Sequence, residues 1–223
     1  MRFRASLLAL VISGTGIAAV ASPAAAPRAP TIVRVRFVTA AGPIIVALDA
    51  KRAPRTVANF LAYVDDGRFE GTSFYRATRR RIAPKTGFVQ GGIGTDSHRM
   101  LGVVPLEPTN RTGIKHLDGT LSMARYERSD SGSGNFSIMV GANPSLDARP
   151  GFAGYAAFGR VIVGMDVVKQ MLARPTLPGG DGAFKGQMMV KPVTIVRAER
   201  LDGVAKPTGG MKVWQMLRGV KRG

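Results

Sequence analysis

Residues 31–48 read TIVRVRFVTAAGPIIVAL, and this stretch predicts a β-hairpin near the start of a mainly β fold. Apolar residues alternate with Arg34 and Arg36, which is the period-two pattern of a strand with one buried face. Gly42 and Pro43 interrupt the pattern before a second apolar run resumes. This arrangement predicts two antiparallel strands joined by a turn.

The rest of the chain predicts two helices among many short strands. A helix is predicted to start at Pro54 and end near Gly67, because apolar residues recur there at i, i+3, i+4 and i+7. A second, shorter helix is predicted after Asp166. Further strands are predicted at Phe74–Tyr75, Phe88–Val89, Gly119–Met123, Asn135–Val140, Tyr155–Val163 and Val193–Arg197. Many short strands with two helices favour a closed antiparallel barrel over alternating βαβ units.

Composition excludes several classes of protein. The 223 residues include 45% hydrophobic residues, as in globular proteins, and no cysteine. The absence of cysteine excludes a disulfide scaffold, a thiolate zinc site and a catalytic cysteine. His98 and His116 are expected to be surface or turn residues, so we expect neither a metal nor an organic cofactor. The formal net charge of +18 is unusually high.

The first 26 residues have the pattern of a secretory signal peptide. Arg2 and Arg4 precede an uncharged apolar stretch over residues 5–21, and small residues follow up to Ala26. The alternative is a membrane anchor, but glycine, serine and threonine dilute the apolar stretch. We therefore expect cleavage near Ala26, export to the periplasm and no stable membrane insertion afterwards.

Several blocks of sequence, in order, resemble the cyclophilin family of peptidyl-prolyl cis-trans isomerases. The matching blocks are APRTVANF (53–60), GTSFYR (71–76), GFVQGG (87–92), GTLSMA (119–124), GNFSI (134–138), YAAFGRV (155–161) and GMDVV (164–168). The resemblance spans about residues 31–200, which is most of the chain after the signal segment.

The resemblance implies a closed eight-stranded antiparallel β-barrel capped by two α-helices. Apolar side chains would fill its interior, and proline-containing peptides would bind in a groove on its outside. The domains expected are a signal peptide (1–26), a cyclophilin-like domain (27–202) and a basic C-terminal tail (203–223). We expect the tail to be loosely held; the alternative is a short amphipathic helix that docks elsewhere.

The resemblance also assigns site residues. Arg76 takes the position of the family's catalytic arginine, and Gln90 would hold the substrate backbone or orient Arg76. Taken without the resemblance, Arg76 is an ordinary surface arginine and Gln90 a polar residue capping a turn. The substrate-binding residues implied are Phe88, Ala124, Arg125, Asn135, Phe136, Ser137, Leu146 and Tyr155. Ala124 and Arg125 would form the edge along which the peptide lies. The proline seat would be lined by Phe88, Phe136 and Leu146, each of which is otherwise a candidate for the core.

The sequence departs from the family pattern at four places. Residues 77–85 lengthen the segment between Arg76 and Gln90, which leaves the alignment of Phe88 open by one residue. Ser137 replaces a common pocket aromatic, Ser145 replaces a frequent tryptophan, and Tyr155 replaces a frequent histidine. Cations of the lengthened segment (Arg79, Arg80, Arg81 and Lys85) are expected to form a solvated loop; the alternative is that they attract acidic clients.

The expected function is acceleration of X-Pro isomerisation during folding of exported proteins, by a monomer that binds proline-containing polypeptides and no nucleic acid. The alternative is a catalytically weak cyclophilin-like module that binds such segments as a chaperone or scaffold. A third hypothesis, association with anionic polymers or membrane surfaces, rests on charge alone.

Overall fold

A computed structural model describes residues 30–179, 182–212 and 214–215 of the chain. Its strands are β1 (Ile32–Thr39), β2 (Gly42–Asp49), β3 (Ser73–Arg80), β4 (Ala83–Gly92), β5 (Thr120–Met123), β6 (Asn135–Val140), β7 (Ala157–Val163) and β8 (Met188–Arg200). They close into one antiparallel barrel in the order β1-β2-β7-β5-β6-β4-β3-β8. The predicted eight-stranded barrel is confirmed. The predicted signal peptide lies outside the described residues.

Two amphipathic helices pack on the barrel, as predicted. They are α1 (Pro54–Asp65) and α3 (Met165–Ala173), and a one-turn helix, α2 (Thr109–Thr112), lies between them in sequence. Pro54 occupies the first turn of α1, where its missing N–H leaves no hydrogen bond unmade. Within the described residues, none of the helices combines the length and the apolar composition needed to cross a bilayer.

The barrel interior is filled by apolar side chains, and six aromatic rings form its centre. The alternation predicted for β1 holds, because Val33, Val35 and Phe37 are at most 3% exposed. The interior rings belong to Phe37, Phe60, Phe69, Phe74, Phe136 and Phe158. Each ring is within 6.5 Å of a neighbouring centroid, in edge-to-face, tilted or stacked contact. These rings pack directly against one another, which favours a site on the outer face of the barrel.

The lengthened segment after Arg76 is not the solvated loop that the sequence predicted. β3 continues to Arg80 and β4 begins at Ala83, so that most of the segment is an extension of the β3–β4 hairpin. Arg79 donates hydrogen bonds to the carbonyls of Leu172 and Arg174 at the end of α3. Carbonyl oxygens at a helix C-terminus lack intrahelical partners, and a guanidinium satisfies them well.

The C-terminal segment is docked rather than loosely held. Trp214 is 3% exposed, and its ring lies against the guanidinium groups of Arg68 and Arg99. Thr208 donates hydrogen bonds to the Asp66 carboxylate from both its N–H and its hydroxyl. The expectation of a loose tail is therefore wrong for the described part of this segment. Two buried arginines make cation–π contacts with its aromatic ring and hold it in place.

Candidate active site

A β-bulge in β3 brings Tyr75 and Arg76 to the same partner on β4. The register shifts between Phe74, opposite Gly91, and Arg76, opposite Gln90. The extra residue at such a bulge re-aims side chains, so that two neighbours reach one residue across the ladder. Arg76 Nη1 donates to Gln90 Oε1 at 2.9 Å, and Gln90 Nε2 donates to the Tyr75 hydroxyl at 3.0 Å. The sequence-predicted pair of Arg76 and Gln90 is in direct contact.

The strand carrying Gln90 can approach β3 this closely because glycines follow it. A Cβ on Gly91 would lie 2.7 Å from the ring of Phe74. Gly92 has φ +123°, and a Cβ there would lie 2.2 Å from the carbonyl oxygen of Gly134. The sequence Gln90-Gly91-Gly92 therefore has a steric cause: a side chain at either glycine would push the strand away from its neighbours.

A second glutamine, which the sequence did not reveal, holds the other side of the Arg76 guanidinium. Arg76 Nε donates to Gln187 Oε1 at 2.9 Å, and the Thr78 hydroxyl donates to the same oxygen at 2.5 Å. Gln187 lies 111 residues away in sequence, on the segment that leads into β8. Local sequence patterns carry no signal for a contact at this separation.

Two aromatic rings lie against the guanidinium of Arg76. Its Cζ is 5.3 Å from the centroid of Phe88 and 4.5 Å from that of Phe184. Arg76 is half-buried, and this burial lowers the pKa of its guanidinium, which nevertheless stays charged at physiological pH. Phe88, whose alignment was open by one residue, thus faces the outside of the barrel beside Arg76. Phe184 is 43% exposed and was not predicted as a site residue.

Asn135, predicted to bind substrate, fixes a neighbouring loop through its side chain. Its side-chain oxygen accepts from the Gly94 N–H at 2.7 Å, and its Nδ2 donates to the Gly94 carbonyl at 2.8 Å. The same oxygen accepts from the Tyr75 hydroxyl at 3.2 Å. Burial raises the pKa of Tyr75 to about 12, so this hydroxyl remains a donor at neutral pH. Asn135 thereby anchors the chain of contacts that runs through Tyr75 to Gln90.

Phe136 does not line an outer pocket. It is fully buried, with its ring centroid 5.5 Å from Phe37 inside the barrel. Its assignment as a substrate-binding residue is therefore wrong, because successive residues of a strand face opposite sides. The same alternation places Ser137 on the outer face, directly opposite Gln90. Ser137 is 7% exposed.

The register extends the outer row of side chains across four strands. Arg76 pairs with Gln90, Gln90 with Ser137, and Ser137 with Ser122 of β5. Directly paired residues of an antiparallel sheet have their side chains on the same face and close together. The next row contains Phe88 opposite Met139, whose side chain is fully buried on this outer side of the sheet. The cation of Arg76 thus stands at one end of a surface containing both polar and apolar groups.

The remaining predicted residues lie on the segments that border this sheet. Leu146 and Tyr155 are half-buried and joined by a backbone hydrogen bond from Tyr155 to Leu146. The guanidinium of Arg125 stacks on Tyr155 with its Cζ 4.6 Å from the ring centroid, and its Nε donates to the Gly154 carbonyl. Ala124 follows β5 and donates its N–H to the Asn135 carbonyl. These contacts form a continuous wall along the 124–125 and 154–155 segments.

A buried hydrogen-bond chain ties the Leu146 segment to β5. His116 is 1% exposed, its Nδ1 is 2.7 Å from Asp147 Oδ1, and its Nε2 is 2.8 Å from the Ser122 hydroxyl. A neutral ring donates to Asp147 and accepts from Ser122, which is 2% exposed. The expectation that His116 is a surface or turn residue is therefore wrong. Its partners lie 6 and 31 residues away in sequence, so that only folding brings the three groups together.

Protonation of His116 should destabilise the fold in mild acid. Burial lowers the pKa of His116. The hydrogen bond and the charge of Asp147 raise this pKa, but their effect is smaller than that of burial. Histidine in the unfolded chain takes up a proton near pH ~6.5, whereas the folded chain keeps His116 neutral. The unfolded state therefore binds more protons below that pH, and the free energy of unfolding falls as the pH decreases. Urea unfolding at pH values on both sides of this pKa measures the effect.

The matched variants for this prediction are His116→Gln and His98→Gln. His98 is exposed, and its replacement should leave the pH dependence as in the unchanged chain. His116→Gln should flatten the dependence between neutral and mildly acidic pH. An unchanged slope in His116→Gln would mean that another group titrates there.

Comparisons with known proteins point to one family. The family model described as "Cyclophilin type peptidyl-prolyl cis-trans isomerase/CLD" matches residues 34–200. Peptidyl-prolyl cis-trans isomerase A of Dickeya dadantii is 36% identical over 165 residues, covering 74% of this chain and 83% of the relative. Peptidyl-prolyl cis-trans isomerase cyp18 of Streptomyces antibioticus is 34% identical over 167 residues, covering 73% and 95%.

A solved structure supports the fold. The cyclophilin-type peptidyl-prolyl cis-trans isomerase of Cryptosporidium parvum superposes with a TM-score of 0.60 at 21% sequence identity, covering 78% of this chain and 99% of that one. The matched family model includes all of the barrel except the first two residues of β1, and it includes the strands that carry Arg76 and Gln90. The chain therefore belongs to the cyclophilin family of peptidyl-prolyl cis-trans isomerases.

Proposed function

We propose that this isomerase acts on exported polypeptides, accelerating X-Pro isomerisation while they fold in the periplasm. The signal-peptide pattern of residues 1–26 supports export. The observation that carries the catalytic part is the Arg76 guanidinium, held by two glutamine oxygens beside an outer apolar surface. Proline-containing segments of unfolded chains are the substrates that this surface fits.

The proposed chemistry needs one fixed hydrogen-bond donor and an apolar surface that holds the proline ring. Rotation about a peptide bond faces a barrier of about 18–20 kcal/mol, because the nitrogen lone pair is delocalised into the carbonyl. In the twisted state this lone pair is localised on the proline nitrogen and can accept a hydrogen bond. A donor from Arg76 stabilises that state more than either planar isomer, which is what raises the rate. No covalent intermediate or cofactor is required.

The seat for the proline ring is formed, in this proposal, by Phe88 and Leu146, with Ser137 between the apolar groups. The chain on either side of the proline lies along the edge formed by Ala124 and Arg125, where Tyr155 provides a ring. Gln90 has the role of orienting Arg76, because its amide oxygen accepts from Nη1 and its amide nitrogen is engaged by Tyr75.

Two measurements test this proposal. The purified protein should accelerate isomerisation of a short X-Pro peptide in a protease-coupled assay, and the refolding of an exported protein limited by proline isomerisation. In an expressing bacterium, fractionation should recover a shortened chain from the periplasm. Uncleaved chain in the cytoplasm would overturn the export proposal and leave the isomerase assignment intact. Peptide binding without turnover would favour the alternative, a binding module, which the small side chain of Ser137 supports.

Gln187 should act as a positioning residue for Arg76. Replacing it with leucine removes the acceptor for Arg76 Nε and Thr78 Oγ1 without removing bulk. A hydrogen bond to a charged group contributes about 1.5–3 kcal/mol, so kcat should fall by about 10- to 150-fold. KM should change little, because Gln187 orients the guanidinium rather than contacting the peptide. Steady-state kinetics on the X-Pro peptide separates the two parameters.

Gln187→Glu should recover most of the activity, since it restores an acceptor oxygen at the same place. Gln170→Leu is the matched control, because Gln170 is exposed on α3. A loss of kcat in Gln187→Glu equal to that in Gln187→Leu would contradict the positioning role.

A further inference from the structure

The tip of the β3–β4 hairpin is the feature that the isomerase site leaves unexplained. We call residues 80–85 the hairpin tip. β3 ends at Arg80 and β4 begins at Ala83, so that Arg81 and Ile82 form the turn. Ile82 is 98% exposed, the highest value among the exposed large hydrophobic residues. A single exposed apolar residue is ordinary, but this one stands at the end of a projecting hairpin.

The surroundings of Ile82 are cationic. Residues 71–95, which include both strands of this hairpin, contain five Lys or Arg and no Asp or Glu: Arg76, Arg79, Arg80, Arg81 and Lys85. Arg81 and Lys85 are exposed on either side of Ile82. Beside the hairpin base, Arg174 donates to the carbonyl of Lys191, which adds two further cations to this end of the barrel. Asp118 is an acidic residue nearby, and its carboxylate accepts a hydrogen bond from the Gly141 N–H.

The tip is held rigidly although its end has no partner among the described residues. Arg79 is bonded to the last carbonyls of α3, and Arg80 donates to the Ala142 carbonyl and to Asn143 Oδ1. The Thr86 hydroxyl donates to the Ala83 carbonyl within the first residues of β4. Presenting Ile82 to an interface therefore costs little further ordering of the chain.

We propose that the hairpin tip binds an anionic membrane surface, with Ile82 entering the headgroup region and the flanking cations contacting lipid phosphates. A convex tip with one apolar end cannot enclose a peptide, but it can enter a lipid interface. Basic residues near an anionic bilayer and apolar groups in its interface both favour binding. This contact places the described barrel at the membrane surface.

The absence of cysteine from the chain permits a site-specific test. Ile82→Cys and Val204→Cys in the full chain each give one attachment point for an environment-sensitive fluorophore; Val204 is 78% exposed in the C-terminal segment. The probes are vesicles of phosphatidylcholine alone and vesicles of equal parts phosphatidylcholine and phosphatidylglycerol. The label at position 82 should shift to the blue only with the anionic vesicles, and high salt should reverse the shift. The label at position 204 should not respond.

Affinity is tested with Ile82→Asp, which should weaken binding to the anionic vesicles roughly tenfold, since it replaces the apolar contact by a like charge to the lipid. Isomerase activity on a short peptide should be unchanged in this variant, which verifies its fold. An unresponsive label at position 82 would overturn the proposal, as would equal responses at positions 82 and 204, which would assign binding to another part of the chain. A response at position 82 to an X-Pro peptide in the absence of vesicles would identify the tip as a substrate contact instead.

Discussion

Arg76→Ala is expected to lower kcat/KM for a short X-Pro peptide by about 10²–10³-fold, the loss found when one preorganised donor to a transition state is removed. The guanidinium is the cation that Gln90 and Gln187 hold at 2.9 Å on two different nitrogens. Alanine removes the guanidinium beside Phe88 together with its hydrogen bonds to both glutamines. The protease-coupled assay measures the effect directly, and peptide binding should change much less than turnover.

Arg76→Lys should recover little of this loss. A lysine ammonium is one compact charge on a flexible stem, whereas the guanidinium is a rigid fork with separate donors for two acceptors. The three donors of a lysine ammonium all radiate from one nitrogen, so they do not reproduce the separate positions of Nε and Nη1 that bind the two glutamine oxygens. Arg160→Ala is the matched control, since Arg160 is exposed on β7 and its removal should leave kcat/KM unchanged. Residual turnover in Arg76→Ala close to that of the unchanged chain would exclude Arg76 from the mechanism.

The parts of the fold that depend on local periodicity were predictable from the sequence. The alternation in residues 31–48 predicts β1 and β2 within a few residues, and β6 (Asn135–Val140) has the predicted bounds. The same alternation, applied to Phe136 and Ser137, would have placed Phe136 inside the barrel. The resemblance to a family pattern instead suggested a pocket role for both residues, although adjacent strand residues cannot share a face.

The parts that depend on contacts between distant segments were not predictable. Gln187 reaches Arg76, and His116 reaches Asp147, only because the closed barrel brings their segments together. Arg79 resembles any other member of a basic run until the end of α3 lies beside it. A charge run is usually solvated, so composition alone could not identify which cations of the chain are structural.

The C-terminal segment is the largest such case, and it docks on two buried arginines that are each paired with an aspartate. Arg68 and Arg99 are 5% and 7% exposed, and each donates to a backbone carbonyl of the other residue. Asp66 pairs with Arg68 at 2.9 Å, and Asp96 pairs with Arg99 at 3.0 Å. Trp214 covers both guanidinium groups, with Cζ-to-centroid distances of 4.5 and 5.5 Å.

The hydrogen bonds to the Asp66 carboxylate strengthen the docking of the C-terminal segment. Burial raises the pKa of Asp66, but hydrogen bonds from Thr208 and Arg68 outweigh burial and lower it overall. The carboxylate is therefore kept ionised by the docked segment itself. Removing one partner of a buried ion pair, or the side chain that shields the pair from water, costs folding free energy. The segment should therefore contribute to the stability of the whole barrel.

Trp214→Ala is accordingly expected to lower the free energy of unfolding by about 3 kcal/mol, the cost typical of truncating a buried large aromatic side chain. The substitution exposes the guanidinium groups of Arg68 and Arg99 and removes two cation–π contacts at once. Urea unfolding followed by far-UV circular dichroism measures the change in all variants. In the unchanged chain, fluorescence of Trp214, its single tryptophan, reports undocking of the segment independently.

Two further substitutions distinguish docking from a general effect of the segment. Trp214→Phe should keep most of the stability, because the indole N–H has no hydrogen-bond acceptor among the described residues and a phenyl ring retains a face for both cations. Met211→Ala should change the free energy of unfolding by less than about 0.5 kcal/mol, since Met211 is 71% exposed on the same segment. If Trp214→Ala instead unfolds at the same urea concentration as the unchanged chain, the segment rests on the barrel without stabilising it. If the fluorescence transition precedes the dichroism transition, the segment undocks before the barrel unfolds, and the two must be treated as separate steps.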